Sequence, residues 1–405
     1  MSYSQEKTVI RTPVYDVHNR PFMVIWETTN ACDLACRHCR AEAISQVEPG
    51  TLTTEEGKRL LDQIETFGKP RPIVILTGGD PFKRADIFEL VAYGTQIGLP
   101  IAVSPSGTPL LNRENLLRLK EAGAKAISLS IDGSTAEMHD AFRRVDGSFQ
   151  MTLSGWKAAR EIGLKLQLNT TVTRYNLNVL PDILRLVQDM GVMTWSVFFL
   201  VPTGRGKVED EITPDEYEDV MNWLYDAGKL LSIKTTEGHH FKRIVIQRTI
   251  LDQRGEDPVS IMKLGNTYQQ LKAHFERVAD FSNERYVEED RMRRTPMHIN
   301  AGNGFVFISR RGEVFPSGFM PVPAGNIKED SLVNIYRDSP LFRDLRSPDK
   351  FEGRCGQCEF RSICGGSRSR AYAITGSPLG EEPFCTYKLG SFPYAENLAA
   401  YLHPE

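Results

Sequence analysis

Three cysteines stand close together near the start of the chain, within Thr29-Asn30-Ala31-Cys32-Asp33-Leu34-Ala35-Cys36-Arg37-His38-Cys39-Arg40. Their spacing, C-x3-C-x2-C, lets three thiolates converge on one soft metal centre from a single tight loop. Three thiolates do not close a four-coordinate site. On a four-iron cluster they leave one iron free, just as a catalytic zinc keeps a position open for the molecule it acts on. A zinc ion completed by His38 or a distant ligand, or three inert buried thiols, are the alternatives. Near the other end, Cys355-x2-Cys358-x5-Cys364 and Cys385 supply four thiolates, hence a closed site. Structural zinc and an iron–sulfur cluster both accept that set.

The surrounding sequence predicts the frame that holds these groups. An apolar run over 21–27 reads as a buried strand ending at the first cysteine loop. Thr53-x-x-Glu56 is a capping box, and Leu60, Leu61, Ile64 and Phe67 then recur at helical spacing until Gly68. The alternation continues with strands over 72–76, 99–104, 125–131, 164–172 and 194–200, and helices over 86–97, 113–122, 150–162 and 181–190. Strands and helices alternating through short connections predict parallel pairing with right-handed crossovers. Six such units predict an α/β fold, a partial (β/α)6 TIM-like barrel. Its functional groups gather at the carboxyl ends of the strands. A further helix from Thr213-Pro214-x-Glu216 to about 229 and a strand over 232–235 follow.

Polar groups occupy the predicted strand ends. Thr77-Gly78-Gly79-Asp80-Pro81 offers two glycines that let backbone approach a ligand, and an acid that can accept from a cationic amine; a plain turn is the alternative. Ser130-Ile131-Asp132-Gly133 offers a hydroxyl and a carboxylate suited to ribose hydroxyls. Arg143, within His139-Asp140-x-Phe142-Arg143, can meet a carboxylate in a bidentate pair. Asn169 lies on the fifth strand, where an amide satisfying neighbouring backbone is an equal alternative. Pro202-Thr203-Gly204-Arg205-Gly206 is a glycine-rich loop with a cation after the sixth strand.

In this context the cysteine loop resembles the defining motif of the radical S-adenosylmethionine (SAM) superfamily. The resemblance implies a [4Fe-4S] cluster on Cys32, Cys36 and Cys39 whose open iron is chelated by SAM. It also implies one-electron cleavage of SAM to a 5′-deoxyadenosyl radical that abstracts hydrogen from a substrate. Gly78-Gly79-Asp80-Pro81 is similar to the family's Gly-Gly-Glu-Pro motif, which holds the SAM amino group, with the shorter Asp in place of Glu. By the same resemblance Arg143 binds the SAM carboxylate, Asn169 reaches SAM, and Arg205 lies where adenine packs and substrate binds.

The last third begins with a predicted β-hairpin, Phe305–Ser309 and Arg310–Pro316, with Gly312 at its turn. The text around Cys355, Cys358, Cys364-Gly-Gly and Cys385 resembles the auxiliary-cluster (SPASM) domain of radical SAM enzymes, closest in look to the group acting in alternative heme and heme d1 pathways and to the mycofactocin and pyrroloquinoline quinone enzymes. Two-cluster members carry further cysteines where this chain has Ser317 and Ser367. Hydroxyls are poor iron–sulfur ligands beside thiolates, so one auxiliary [4Fe-4S] cluster is expected. The expected organisation is an arm (1–20), the barrel (21–235), a helical linker closing its open side (236–300), a small iron–sulfur domain (301–390) and a tail (391–405).

Composition narrows the function further. A net charge of −3 gives no whole-chain drive toward nucleic acid or an anionic membrane. No apolar run approaches the ~18 residues of a membrane span, and residues 1–11 lack a signal-peptide core. Seven cysteines, in groups of three and four, fit clusters in a reducing compartment, which predicts a cytoplasmic protein. A tetrapyrrole substrate would bring several carboxylates, for which Arg205, Lys207, Lys242, Arg243, Arg293, Arg294, Arg368 and Arg370 are candidate partners. The paired His239 and His240, in a charged loop over 237–243, invite a metal or acid-base reading, though adjacent loop histidines are more often solvated. A peptide substrate commonly needs a leader-binding domain, for which the short arm before Pro21 is expected to leave no room, though a partner could supply it. The expected function is therefore oxidative decarboxylation or related modification of a tetrapyrrole side chain, with a reduced flavodoxin- or ferredoxin-type electron donor. Peptide modification is the alternative, and a non-catalytic SAM-binding iron–sulfur or zinc protein the alternative of another class.

Overall fold

The computed structural model describes residues 15–282 and 298–402. Arg293 and Arg294 lie outside them. β1 (Met23–Thr29), β2 (Ile73–Gly78), β3 (Ile101–Val103), β4 (Ala126–Ser130), β5 (Lys165–Val172) and β6 (Thr194–Phe199) pair in sequence order and in parallel, and β7 (Ile233–Thr236) follows β6. The connecting helices begin where capping predicts. Thr53 and Thr213 each close a reciprocal capping box at the heads of helices Thr54–Glu65 and Pro214–Ala227. Among the helices between the barrel strands, one was not expected: Ala136–Arg143, which stands between β4 and helix Ser148–Glu161.

Strands β2 to β5 alternate between two environments. Val74, Leu76, Ile127, Leu129 and Leu168 are buried in one core with Leu60, Leu61, Leu90, Leu119 and Leu184 from the helices. Burying such a side chain contributes about 1.5–3 kcal/mol. The alternate residues, Thr77, Ser104, Ser128, Ser130, Gln167, Asn169 and Thr171, are only half-buried and face the other side. A parallel sheet covered on both faces is apolar on both. The polar alternates therefore mark a concave face available to a ligand.

The sheet does not stop at β1. β9 (Gly304–Ile308) lies parallel to β1 with Met23 opposite Phe305 and Trp26 opposite Ile308. β8 (Asn300–Ala301) pairs with β9; β10 (Glu313–Phe315) returns antiparallel through a turn at Gly312 (φ +88°), and β11 (Gly325–Asn326) pairs with β10. The strand order is β11-β10-β9-β1-β2-β3-β4-β5-β6-β7, with β7 and β11 as unpaired edges. The division expected at residue 301 is thus crossed by a continuous sheet.

Two further expectations are corrected. Residues 237–243 are not a charged loop: Glu237 turns the chain with φ +55°, and helix His240–Arg254 then buries His240 and Arg243. The helix Asn266–Val278 does not close the barrel's open side. Its apolar face, Tyr268, Leu271 and Phe275, packs on the outside of helices Leu180–Met190 and Pro214–Ala227. Asp219 accepts from the N–H groups of Gly265 (2.8 Å) and Tyr268 (3.1 Å) there, and the Tyr268 hydroxyl donates to Asp226 (2.7 Å). No helix among the described residues is long and apolar enough to cross a membrane.

Candidate active site

The cysteine loop leaves the carboxyl end of β1 and is pinned from several sides. Cys32 N–H donates to Ile44 O (2.7 Å) and Ile44 N–H to Asn30 O (3.1 Å), closing its ends. Ala35 and Arg37 donate to the carbonyls of Arg143 and Phe142, which hangs the loop on the last turn of helix Ala136–Arg143. Gly79 and Asp80, just past β2, donate to Thr29 O (2.8 Å) and Ala31 O (2.7 Å). A Cβ at Gly78 would sit 2.1 Å from Thr29 O, and one at Gly79 2.3 Å from Ala31 O. The expected close approach at this glycine pair is therefore made to the cysteine loop's own backbone.

All seven cysteines are free thiols. Cys32 and Cys36 are buried and Cys39 is half-buried. Donors already face two of the three sulfurs: Leu34 N–H at 3.3 Å from Cys32 Sγ, and Arg143 Nη1 at 3.5 Å from Cys36 Sγ. Burial pushes the Cys32 thiol up to about 11. Buried sulfurs that receive N–H donors suit anionic thiolates on a cationic centre, so this donor set fits an iron–sulfur cluster. His38 stacks on Phe142, with ring centroids 4.7 Å apart.

The other candidates gather around this loop, several of them already engaged. Asp80 is fully buried; its Oδ1 accepts from Phe82 N–H (3.2 Å) and Ser106 N–H (3.4 Å), and its Oδ2 from Thr108 Oγ1 (2.7 Å). Its carboxylate holds the turn after β2. Asp132 pairs with Arg143 and accepts from Thr171 N–H (2.7 Å). Burial opposes ionisation of Asp132, but the Arg143 guanidinium, helped by His38 and His139, holds it below the usual carboxylate range. Both Asp132 oxygens are thus occupied, and Arg143 retains an unpartnered Nε. Ser130 and Asn169 are register partners on the concave face, and Asn169 Oδ1 accepts from Gln167 Nε2 (2.7 Å). Arg205 braces the loop: its Nε donates to Cys36 O (2.9 Å), its Nη1 to Ala43 O (3.3 Å), and Nη2 is unpartnered.

The cations expected to await substrate carboxylates are committed elsewhere. Arg243 forks onto Glu218 (2.9 and 2.6 Å), Lys242 donates to Ile299 O (2.9 Å), and Arg368 to Gly380 O (2.6 Å). Arg370, fully buried, pairs with Glu382 (3.2 Å) and donates to Leu200 O and Glu237 O. Lys207 pairs with Glu209 on the surface. Sequence reading missed the cations at the barrel mouth. Arg40 donates to Glu27 at the end of β1 (2.9 Å) and lies 4.3 Å over the Phe307 ring; Arg310 donates to the other Glu27 oxygen (3.2 Å). Their common partner lies 13 and 283 residues away in the chain, and only Arg40's place beside Cys39 hinted at it. Ser104, Ser128 and Gln167 were also missed, although polar alternation in strands predicted to be parallel was a usable signal.

Cys355, Cys358, Cys364 and Cys385 line one hollow, partly open to solvent. Phe360, Gly366 and Glu382 N–H groups each lie 3.4 Å from Cys358, Cys364 and Cys355 Sγ respectively, and Arg368 Nη2 lies 3.5 Å from Cys355 Sγ. Burial pushes the thiols of Cys358, Cys364 and Cys385 up to about 12. As at the first loop, such donors suit thiolates around a cationic core. The neighbourhood of Ser317 and Ser367 differs. Ser317 (3.1 Å) and Ser369 (2.9 Å) donate to one oxygen of buried Glu237, and Ser367 to the other. Burial pushes the Glu237 carboxyl up, against the pull of these hydroxyls and of Arg370. A hydrogen-bonded carboxyl group fills this place.

The radical SAM superfamily model matches residues 26–187. An AdoMet-dependent heme synthase of Oleidesulfovibrio alaskensis is 40% identical over 92% of this chain and 89% of its own length. Its counterpart in Methanosarcina barkeri is 38% identical over 92% of this chain and 98% of its own. Among solved structures, Streptococcus suis SuiB bound to precursor peptide SuiA matches with a TM-score of 0.63 and 17% identity, over 91% of this chain and 76% of that one. At that identity the likeness is one of fold.

Proposed function

The chain belongs to the radical SAM superfamily, and from that membership we propose that it uses the 5′-deoxyadenosyl radical to modify a tetrapyrrole side chain by oxidative decarboxylation. The observation that carries the substrate class is the 40% identity to a heme synthase over nine-tenths of both chains. Cys32, Cys36 and Cys39 hold the radical-generating cluster, which when bound supplies the electron that cleaves SAM. Ser130 and Asn169 face SAM from the concave side, and the unpartnered Nε of Arg143 and Nη2 of Arg205 are directed to SAM or substrate. Arg40 and Arg310 meet on Glu27, and Arg310 also pairs with Glu48, so they would serve substrate carboxylates only by exchanging those partners.

The net change is balanced. A propionate, –CH2–CH2–COO⁻, loses one hydrogen atom to the adenosyl radical, then carbon dioxide and one electron, and becomes a vinyl group. The electron needs an acceptor. Cys355, Cys358, Cys364 and Cys385 would hold one auxiliary [4Fe-4S] cluster, whose chemistry suits that role, and the partner for reduction of the first would be a flavodoxin- or ferredoxin-type donor. Seven free thiols accord with a cytoplasmic setting.

The test is anaerobic incubation of reconstituted, dithionite-reduced protein with SAM and a propionate-bearing iron porphyrin. Formation of 5′-deoxyadenosine together with a decarboxylated porphyrin supports the proposal. Deoxyadenosine without porphyrin change, but with a mass change in a candidate peptide, would move the assignment to peptide modification. No deoxyadenosine at all would leave a SAM-binding protein without this chemistry.

A further inference from the structure

The four-cysteine hollow has one more polar wall. His240, in the first turn of helix His240–Arg254, lines it. The residue is 1% exposed, and among the described residues neither ring nitrogen has a hydrogen-bond partner. The charged groups beside it are already engaged: Arg243 with Glu218, and Glu382 with Arg370 and the Ser367 N–H. An unsatisfied buried imidazole requires a partner, and the hollow that His240 lines can supply one. A neutral imidazole has one N–H donor and one acceptor nitrogen. Four thiolates and the sulfides between four irons present acceptors only, so the donor nitrogen is the one that is satisfied there.

We propose that His240 donates a hydrogen bond to a sulfur of the auxiliary cluster and thereby raises its reduction potential; the inference rests on the reading of this hollow as a cluster site. Four cysteines already complete the ligation of four irons, so His240 acts as a tuning residue and not as a ligand. Hydrogen bonds to cluster sulfurs withdraw negative charge and favour the reduced form. The direction suits the chemistry, since an electron released from substrate needs an acceptor of raised potential. The histidine pair noted in the sequence thus divides: His240 belongs to the hollow because the helix that begins at it turns its ring inward.

The experiment uses the full chain carrying Cys32→Ala, Cys36→Ala and Cys39→Ala, so that only the C-terminal hollow can hold iron. About four irons per chain are expected; none, or a single zinc, overturns the cluster reading and this inference with it. With iron present, ¹⁵N-histidine labelling and pulsed EPR of the reduced protein should show a weak ¹⁵N coupling through an exchangeable proton. His240→Phe should keep the iron, abolish that coupling and disfavour reduction about tenfold, equivalent to about 59 mV for one electron. His240→Gln, which retains an N–H donor, should recover part of the shift. An unchanged potential in His240→Phe, or no ¹⁵N coupling in unsubstituted protein, overturns the inference while leaving the cluster reading standing. Strong direct ¹⁵N coupling, with iron lost on substitution, would make His240 a ligand and equally overturn it. The labelling measurement needs no substitution at residue 240, so it decides even if His240→Phe does not fold.

Discussion

Removing the Arg143 guanidinium should expose how far the active-site loop depends on one buried ion pair. Arg143 pairs with Asp132, whose side chain is 1% exposed against 11% for the arginine. Deleting one member of such a pair strands the other charge in the interior, at a cost of about 3–5 kcal/mol. In metal-free protein, urea unfolding followed by circular dichroism should show that loss for Arg143→Ala and a smaller one for Arg143→Lys, which keeps the charge without the fork. The pH dependence carries the sign. In the parent, Asp132 is held below its unfolded value, so its contribution is present above the ordinary carboxylate range and lost as pH falls through the depressed folded value. In Arg143→Ala burial is opposed only by His38, His139 and the Thr171 N–H, so the folded value rises and the penalty is present at neutral pH and relieved on acidification. The gap between variant and parent should therefore shrink steadily between about pH 7 and pH 4. Adding Asp132→Asn should return part of the stability. SAM affinity should stay low in that double variant, because the neutral amide mends the interior but not a contact to SAM. A pH-independent deficit below about 1 kcal/mol would refute the buried-pair argument, and unchanged SAM affinity in Arg143→Ala would refute the contact.

Other expectations can be read more briefly. Cys32→Ala, Cys36→Ala and Cys39→Ala should each abolish 5′-deoxyadenosine formation, measured by mass spectrometry, since two thiolates do not hold a cubane with an open iron; activity in any one of them would sink the assignment. Reconstituted protein should hold about eight irons per chain and negligible zinc by elemental analysis, whereas about twelve would mean that Ser317 and Ser367 stand beside another cluster. Gly79→Ala should lower that figure to about four, because its Cβ would need to displace Ala31 O, 2.3 Å away, and with it the first cysteine loop. Glu237→Ala should cost about 1–3 kcal/mol by orphaning buried hydroxyls. Because the folded Glu237 value is raised, its carboxyl stabilises most below the unfolded value and progressively less as pH rises through the folded one, a dependence that Glu237→Gln should flatten in denaturant melts.

What the sequence disclosed was local. Strand and helix alternation, the capping boxes at Thr53 and Thr213, and the turn at Gly312 all depend on neighbours within a few residues, and each stands where the pattern placed it. What it concealed was partnership across the chain. Arg243 and Arg370 read as free cations because Glu218 and Glu382 lie 25 and 12 residues away on other elements. Asp80 and Asp132 read as ligand-binding acids, yet Thr108 and Arg143 reach them first. The glycines after β2 were read as letting backbone approach a ligand; the close approach seen there is that of the cysteine loop's backbone. Short-range pattern names the groups able to do chemistry; only tertiary contact shows which of them are left uncommitted.

The parallel pairing of β9 with β1 has a consequence for how the molecule is made. Met23 meets Phe305 and Trp26 meets Ile308, so the strand that launches the first cysteine loop lacks one of its two neighbours until about three-quarters of the chain has left the ribosome. Arg310 reaches Glu27 only then as well. Pairings of such sequence separation form late and slowly, and domains emerge amino end first. β1 must therefore spend most of synthesis as an exposed edge with reactive thiols at its tip. On the proposed cluster reading, iron insertion into that loop is best timed after β9 has docked, and a truncation before residue 304 would leave β1 an unpaired edge.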